Sequence, residues 1–144
     1  MVAAYVFIRF LQPKFTIGVV GVLLNDQGQV LLVKHVFHPQ LPWGLPGGWI
    51  NRHEEPTTAV AREIMEELQL KVTNTELLYA QLGPNHRNHL DMAYLCTWEN
   101  EVGQLSKELL TYGWYTVDEM PRLTKFHYKA ILRAIEINSS GKSV

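Results

Sequence analysis

The sequence has little of what would place it in several other protein classes. Cys96 is its one cysteine, which excludes a disulfide framework and a cysteine-based zinc site. The 14 acidic and 13 basic side chains nearly cancel, so the chain lacks the positive surplus that attracts a nucleic acid backbone. It has no repeats and no low-complexity segment. We expect one domain with a proper core, acting on no nucleic acid polymer.

Long apolar runs are missing too. Residues 2–11 are apolar apart from Arg9, but they are too short to span a bilayer. They lack the basic leader and the small-residue cleavage site of a signal peptide. We treat residues 1–14 as an N-terminal apolar extension: either a strand or helix that covers the core, or a segment for self-association or a membrane surface. We expect a cytoplasmic protein without a membrane span, and a homodimer is left open.

Charge is concentrated in residues 48–70. Pro56 suits the first turn of a helix, because its fixed φ and missing N–H cost nothing there. No Gly or second Pro follows up to about Leu68, so we predict a helix over this stretch. At about 100° per residue, one face of this helix is apolar. That face carries Val60, Ala61, Ile64, Met65 and Leu68.

The opposite side of the predicted helix is acidic. Glu63, Glu66 and Glu67 are spaced i, i+3 and i+4, and like charges at this spacing repel by a few tenths of a kcal/mol per pair. A hard divalent cation such as Mg²⁺ would remove that repulsion, because it prefers oxygen ligands. The alternative is a solvated acidic face with no ligand. The glycines just before the helix favour the metal.

A glycine pair, Gly47-Gly48, allows a ligand to approach the backbone closely. With the helix that follows, it resembles the signature of the Nudix hydrolases, G-x5-E-x7-R-E-U-x-E-E-x-G-U, in which U is a bulky aliphatic residue. The matching residues are Gly48, Glu54, Arg62, Glu63, Ile64, Glu66, Glu67 and Leu70. Gln69 stands where the family has glycine. If it keeps a left-handed conformation, Gln69 costs up to about 1 kcal/mol and affects the loop more than the chemistry.

The resemblance implies an α/β fold, the Nudix α/β/α sandwich. In it a mixed β-sheet lies between the helix of the signature, here called the box helix, and a C-terminal helix. The likeness covers residues 15–137, which we assign as the Nudix hydrolase domain, and residues 138–144 are expected to form a flexible tail.

The sequence predicts elements in the matching order. Apolar residues 15–24 and 29–36 are predicted to form a hairpin around a turn at 25–28. Further strands are predicted at residues 71–81, 89–98 and 112–117. Thr124 is predicted to cap a last helix. The apolar stripe of that helix consists of Phe126, Ile131, Leu132 and Ile135.

The resemblance also implies roles for the residues of the signature. Glu63, Glu66 and Glu67 are expected to bind Mg²⁺ or Mn²⁺ together with the carbonyl of Gly47. Arg62 is expected to orient the glutamates through salt bridges, since its planar fork suits a carboxylate. Three further residues complete the catalytic and substrate-binding set. Glu54 is expected to support the loop, with metal binding through a water molecule as a second role. Phe37 and Trp43, with a weaker basis, are candidates for stacking on a base.

The general base is not identified by the signature. The candidates are a glutamate of the box helix or Glu108, for which a solvated loop position is the alternative. Phe37 and Trp43 have an alternative as well, because either ring could serve in packing instead of stacking on a base.

The function implied is that of a divalent-metal-dependent hydrolase. Its substrate would be a nucleoside diphosphate linked to another group: a nucleoside triphosphate, as in the MutT-like branch, or ADP-ribose or a nucleotide sugar. Pro84 lies near, but not at, the proline of ADP-ribose members. The alternative is a Nudix domain that binds nucleotides or senses metabolites without turnover. The intact glutamates favour an enzyme.

Overall fold

The computed structural model describes residues 1–83 and 88–141. Pro84, considered above as a marker of substrate class, and residues 142–144 of the expected tail lie outside the described residues. Residues 138–141 were expected in that tail, but they continue the last helix, where Ser140 Oγ donates to Glu136 O at 3.0 Å. Within the described ranges, each helix is too short or too polar to cross a membrane.

Three helices and seven strands make up the described part of the chain. In chain order they are α1 (Val2–Leu11), β1 (Thr16–Val22), β2 (Val30–His35), β3 (Trp43–Gly44), β4 (Gly47–Trp49), α2 (Pro56–Leu68), β5 (Val72–Leu82), β6 (His89–Trp98), β7 (Leu109–Tyr115) and α3 (Lys125–Gly141). A 3₁₀ turn, Val117–Glu119, precedes α3.

The strands form two sheets. One has the order β4-β1-β6-β5 and is mixed, because β1 and β6 run parallel while the other pairs are antiparallel. The other has the order β3-β2-β7 and is antiparallel. The turn predicted between β1 and β2 is present, but the prediction that these two strands pair as a hairpin is wrong. A single bridge joins Leu24, just after β1, to Val30 at the start of β2, and the two strands belong to different sheets.

Helices α2 and α3 cover opposite faces of the strands. Successive residues of a strand point to opposite sides, and neighbouring strand residues accordingly enter different cores. Val19 and Leu31 belong to the core with α2, whereas Val22 and Leu32 belong to the core with α3. The α/β/α sandwich is thus confirmed.

The helix predictions hold at the centre of each apolar stripe and fail at its edge. Val60, Ile64 and Leu68 are fully buried, but Met65 is 43% exposed. Leu132 of α3 is 42% exposed, because the small residues Ala130 and Ala134 occupy the buried side instead. Thr124 caps α3 as predicted, with its Oγ1 accepting from the N–H of His127 at 3.3 Å.

Helix α1 forms in the N-terminal extension, but it does not cover the core. Each of its ten residues is exposed. The prediction that the extension covers the core is wrong.

Gln69 keeps the backbone conformation expected of the glycine that it replaces. Its φ is 57° and its ψ is 31°, in the left-handed region, and its N–H donates to Met65 O at the end of α2. Its side chain receives a hydrogen bond from Gln104 N at 2.9 Å. A Cβ on Gly103 would overlap Gln69 Oε1. The side chain of Gln69 thus fastens the loop to the helix end, and Gly103 leaves room for it.

We expect Gly103→Ala to lower the free energy of unfolding by about 1 kcal/mol, because the new methyl group displaces Gln69 Oε1 from its hydrogen bond. Urea denaturation of Gly103→Ala, Gln69→Gly and the double variant would measure the coupling. Since the clash needs both side chains, the cost of the methyl group should be small in the Gln69→Gly background. Equal costs in both backgrounds would contradict the packing described. Gly141→Ala is a suitable control, since nothing lies within 4 Å of that position.

Candidate active site

The guanidinium of Arg62 joins α2 to the loop before it. It forms a bidentate salt bridge with Glu54, in which Nε donates to Oε2 at 2.8 Å and Nη2 donates to Oε1 at 2.9 Å. Nη1 donates to Glu63 Oε1 at 2.9 Å and to both oxygens of Glu66 at 3.3 Å. Nη2 also reaches the carbonyl of Trp49 at 3.0 Å. The structure therefore brings together the arginine and three glutamates that the sequence singled out.

Glu54 supports the loop through both its oxygens. Its Oε1 also accepts from Asn51 N at 3.0 Å. The pKa of Glu54 is lowered to about 2, chiefly by the hydrogen bonds from Arg62 and then by that from Asn51. The hydrogen bonds of Arg62 to Glu54, and then to Glu63 and Glu66, raise the pKa of Arg62, while burial opposes the shift. Both groups are charged at neutral pH, as an orienting pair requires.

Glu67 is the one buried charged residue among the described residues, at 3% exposure. Its Oε2 accepts from Gly47 N at 3.1 Å. Burial raises the pKa of Glu67 to about 8, and the nearby carboxylates of Glu63, Glu108 and Glu66 add to this, while the Gly47 N–H opposes it. A cation beside Glu67 would favour the ionised form that burial disfavours.

The position of Glu67 corrects the sequence analysis. It was placed with Glu63 and Glu66 on the side opposite the apolar face. Seven residues make nearly two full turns, so Glu67 lies almost directly above Val60, at the margin of the buried face. Glu66 is the outermost of the three, with 56% of its side chain exposed.

The two glycines of the signature are required for close packing. A Cβ on Gly47 would overlap the carbonyl of Val19 on the neighbouring strand, and a Cβ on Gly48 would overlap the carboxylate of Glu63. Burial raises the pKa of Glu63, although Arg62 opposes the shift. The missing side chain at Gly48 lets Glu63 of α2 approach the backbone of β4, and that at Gly47 lets β4 pair closely with β1.

These carboxylates border an open cavity of about 560 Å³. Gly47, Gly48 and the three glutamates of α2 form one wall. Glu108 lies at a turn and is exposed, yet it lines the same cavity, and its charge contributes to the raised pKa values of Glu63 and Glu67. Glu108 was considered either as the general base or as a solvated loop residue. It is solvated, and it also faces the cavity, so its exposure does not exclude a role in the site.

The donor set fits a hard divalent cation in chemistry. It consists of carboxylate oxygens around one cavity, the ligands that Mg²⁺ prefers. Within residues 1–83 and 88–141, no three acidic, His or Cys side chains already converge as a metal cluster. Glu63 and Glu66 turn towards Arg62, and Glu67 turns towards the Gly47 N–H.

A second group of polar residues, which sequence analysis did not assign to the site, lines the same cavity. His89 Nδ1 lies 2.7 Å from Thr16 Oγ1, and His89 Nε2 lies 2.9 Å from Asp91 Oδ1. The ring of Trp49 is 5.1 Å from that of His89. The available signal was the strand period of β6, which places His89 and Asp91, two residues apart, on one face of the strand.

A neighbouring cavity of about 600 Å³ holds the two aromatic residues considered for base stacking. Phe37 is 72% exposed, so its ring is open to a ligand. Trp43 also lines this cavity, but it packs edge-on against Tyr115 at 5.4 Å and belongs to the core with α3. The packing role considered for Trp43 is therefore present. His35, His38 and His127 line both cavities and join them.

His127 fixes the loop between the two cavities. Its Nδ1 accepts from Leu45 N at 3.2 Å. Burial, with a smaller effect of His35, lowers the pKa of His127 to about 4, so the ring is neutral at neutral pH. A neutral ring can accept at Nδ1, which an imidazolium cannot.

In the absence of metal, we expect Glu67 to lower the stability of the protein as the pH rises. The unfolded Glu67 carboxyl titrates near 4.5 and the native one near 8, so in this range the native state holds a proton that the unfolded state has lost. The lowered pKa of His127 has the opposite effect between about pH 4 and 6.5, so the net fall in stability is expected above about pH 6.5. Glu67→Gln has no proton to lose, so above about pH 6.5 its stability should change less with pH than that of the unmodified protein, in urea titrations with EDTA.

Glu136→Gln is the matched control, because that side chain is 68% exposed on α3. It should keep the pH dependence of the unmodified protein. Equal pH dependence in Glu67→Gln and the unmodified protein would contradict the assignment of this titration to Glu67.

Comparison with known proteins agrees with the geometry. The model of the NUDIX domain matches residues 14–134. A MutT-like protein of Streptomyces ambofaciens is 28% identical over 125 residues, which cover 86% of this chain and 79% of that protein. The MutT NUDIX hydrolase of Burkholderia pseudomallei has a similar structure, with a TM-score of 0.73 and 27% identity over 84% of this chain and 98% of that one.

A further relative is the NAD-capped RNA hydrolase NudC of Salmonella paratyphi C. It is 32% identical over 103 residues, which make up 71% of this chain. The chain spans only 40% of the length of that NudC.

The fold and the cavity together define the class, an α/β/α domain whose acidic helix borders an open cavity. Because the NUDIX match takes in most of the chain, the protein belongs to the Nudix family. It is a Nudix hydrolase, an enzyme that cleaves pyrophosphate bonds.

Proposed function

We propose that this hydrolase depends on Mg²⁺ or Mn²⁺ and cleaves a nucleoside diphosphate linked to another group. The observation that carries the proposal is the buried carboxylate of Glu67, which borders one cavity with Glu63 and Glu66. Burying a lone carboxylate is costly unless a partner compensates for it. A cation that binds a diphosphate is such a partner.

Cleavage of a pyrophosphate bond requires neutralisation of the phosphoryl oxygens and a positioned water molecule. A divalent cation held by Glu63, Glu66, Glu67 and the Gly47 carbonyl would supply both of these. Arg62 positions Glu63 and Glu66 through its hydrogen bonds, and Glu54 positions Arg62.

A carboxylate is also needed to take the proton of the attacking water. Glu67 and Glu108 are the candidates. Glu67 is buried at the edge of the cavity, and Glu108 faces the same cavity from a different element. The geometry favours neither, because both line the cavity.

The substrate classes remain nucleoside triphosphates on one side and ADP-ribose or nucleotide sugars on the other. The two adjoining cavities support a substrate with a charged diphosphate and a flat, less polar end. The acidic cavity suits the metal-bound diphosphate, and the ring of Phe37 offers the neighbouring cavity a surface for stacking. NudC acts on NAD-capped RNA, so NAD belongs in the set of substrates to be tested.

Glu67→Gln should lower kcat by about a hundredfold or more, because it removes a charge at the centre of the acidic wall. Assays would use a nucleotide panel with Mg²⁺ and Mn²⁺, and EDTA should abolish turnover. Glu136→Gln serves as the control and should be fully active. Full activity of Glu67→Gln on the best substrate would contradict the assigned role.

The same assays separate the substrate classes and the non-catalytic alternative. Pyrophosphate plus a nucleoside monophosphate indicates a nucleoside triphosphate, whereas AMP plus ribose phosphate indicates ADP-ribose. A binding module would show thermal stabilisation by nucleotides with no product under any metal condition. All the glutamates of the signature are present, which favours the enzyme.

Phe37→Ala should raise KM about tenfold with little change in kcat, because stacking on a base contributes about 1–3 kcal/mol and holds a part of the substrate that does not react. Phe15→Ala is the control, since Phe15 is 47% exposed and lines neither cavity. An unchanged KM in Phe37→Ala would show that this ring does not bind the substrate.

The proposal includes a cytoplasmic location, where nucleotides of these classes are the expected small-molecule partners. The sequence leaves a homodimer open.

A further inference from the structure

Helix α1 presents an apolar surface without any cover in the described structure. None of its ten residues is buried. The exposed fractions of its large side chains exceed one half, including 63% for Phe7, 77% for Phe10 and 66% for Leu11. An apolar surface of this kind marks a site of contact with a protein or a membrane.

The helix also lacks what would stabilise it in water. Isolated helices shorter than about 12–15 residues are marginal in water, and α1 has ten residues. It has no side-chain cap at its start and no acidic residue in its first turn. Burial of its side chains against a surface would stabilise the helix, and residues 1–83 and 88–141 do not provide that surface.

The length of α1 and its single charge fit a helix lying in a membrane surface. At about 100° per residue, Phe7, Ile8 and Leu11 share one side with Phe10 at its edge, while Arg9 lies on the other side among Tyr5, Val2 and Val6. At 1.5 Å per residue the helix is about 15 Å long, half the thickness of the hydrocarbon layer. It is suited to lie in the interface, with Tyr5 and Arg9 reaching towards the headgroups.

The charges around α1 favour an anionic lipid surface over a second copy of the helix. The first acidic residue of the sequence is Asp26, whereas Arg9 and Lys14 are both basic. The Lys14 ammonium lies 5.7 Å from the centre of the Phe10 ring, so a basic group sits next to an exposed aromatic one. Two copies of α1 would bring like charges together, while anionic headgroups would neutralise them.

We propose that α1 anchors the enzyme peripherally to membranes that contain anionic lipids. The anchor is separate from the active site, because no residue of α1 lines either of the two cavities described above. The binding is reversible, since it uses one short helix and two basic side chains.

Vesicle flotation tests the proposal with the full-length chain. The unmodified protein should float with vesicles of equal parts phosphatidylcholine and phosphatidylserine, and less with phosphatidylcholine alone. The double variant Phe7→Glu/Phe10→Glu should lose binding to both. Arg9→Gln and Lys14→Gln should each weaken binding to the anionic vesicles about fivefold and leave binding to the neutral ones nearly unchanged.

The matched control is Leu77→Glu/Leu82→Glu, which also places two acids at exposed apolar positions, 52% and 55% exposed on β5. It should float as the unmodified protein does. Turnover of a soluble nucleotide should be equal in the α1 variants and the unmodified protein, which shows that they are folded.

Absence of flotation with both vesicle types would overturn the proposal. So would flotation that Phe7→Glu/Phe10→Glu leaves intact. Analytical sedimentation without vesicles tests the alternative, in which α1 binds a second copy of the chain. A dimer that this double variant converts to a monomer, with no vesicle binding in the unmodified protein, would identify α1 as a contact between two copies.

Discussion

The Arg62 guanidinium is the interaction on which the site depends, since its donors connect the box helix to the loop that leads into it. It pairs with Glu54 from the loop, with Glu63 and Glu66 from its own helix, and with the carbonyl of Trp49. One cation thus offsets the repulsion of several carboxylates and fixes the loop at the same time. A lysine could provide the charge but could not donate in all these directions at once, because its ammonium lacks the planar guanidinium with N–H donors on three nitrogens.

Arg62 donates hydrogen bonds to Glu54, Glu63 and Glu66, whereas Glu67 has a different environment. It receives one backbone hydrogen bond, from Gly47, and it is almost completely buried. The fold therefore holds one carboxylate that is not neutralised by a neighbouring arginine, at the edge of a cavity that admits a ligand. An unpaired group in this position costs stability when it is ionised. Such a conflict between stability and charge is typical of functional sites, where the compensating charge arrives with the ligand.

Much of the fold and part of the site could be predicted from the sequence. The features that were predicted depend on residues close together in the chain, and those that were missed depend on residues far apart in it. The acidic residues of α2 are a few residues apart, so helical spacing was enough to place Glu63 and Glu66, although Glu67 proved to lie at the margin of the core. The cavity wall with His89 and Asp91 was not predicted, because it depends on the parallel pairing of β1 with β6, in which Gly18 lies opposite Asp91. The split into two sheets was missed for the same reason: β2 pairs with β7, about 80 residues later.

Gln69 shows how a departure from a family signature is accommodated locally. The left-handed backbone is strained for a residue with a side chain, and that strain does not disappear. It is offset by contacts that a glycine could not make. The Gln69 side chain accepts from Gln104 N, and the room for it exists because residue 103 has no side chain. Asn100 adds a hydrogen bond to the Gln69 carbonyl at 2.7 Å. The side chain gained at the end of α2 is thus matched by a glycine, Gly103, in the loop that packs on it.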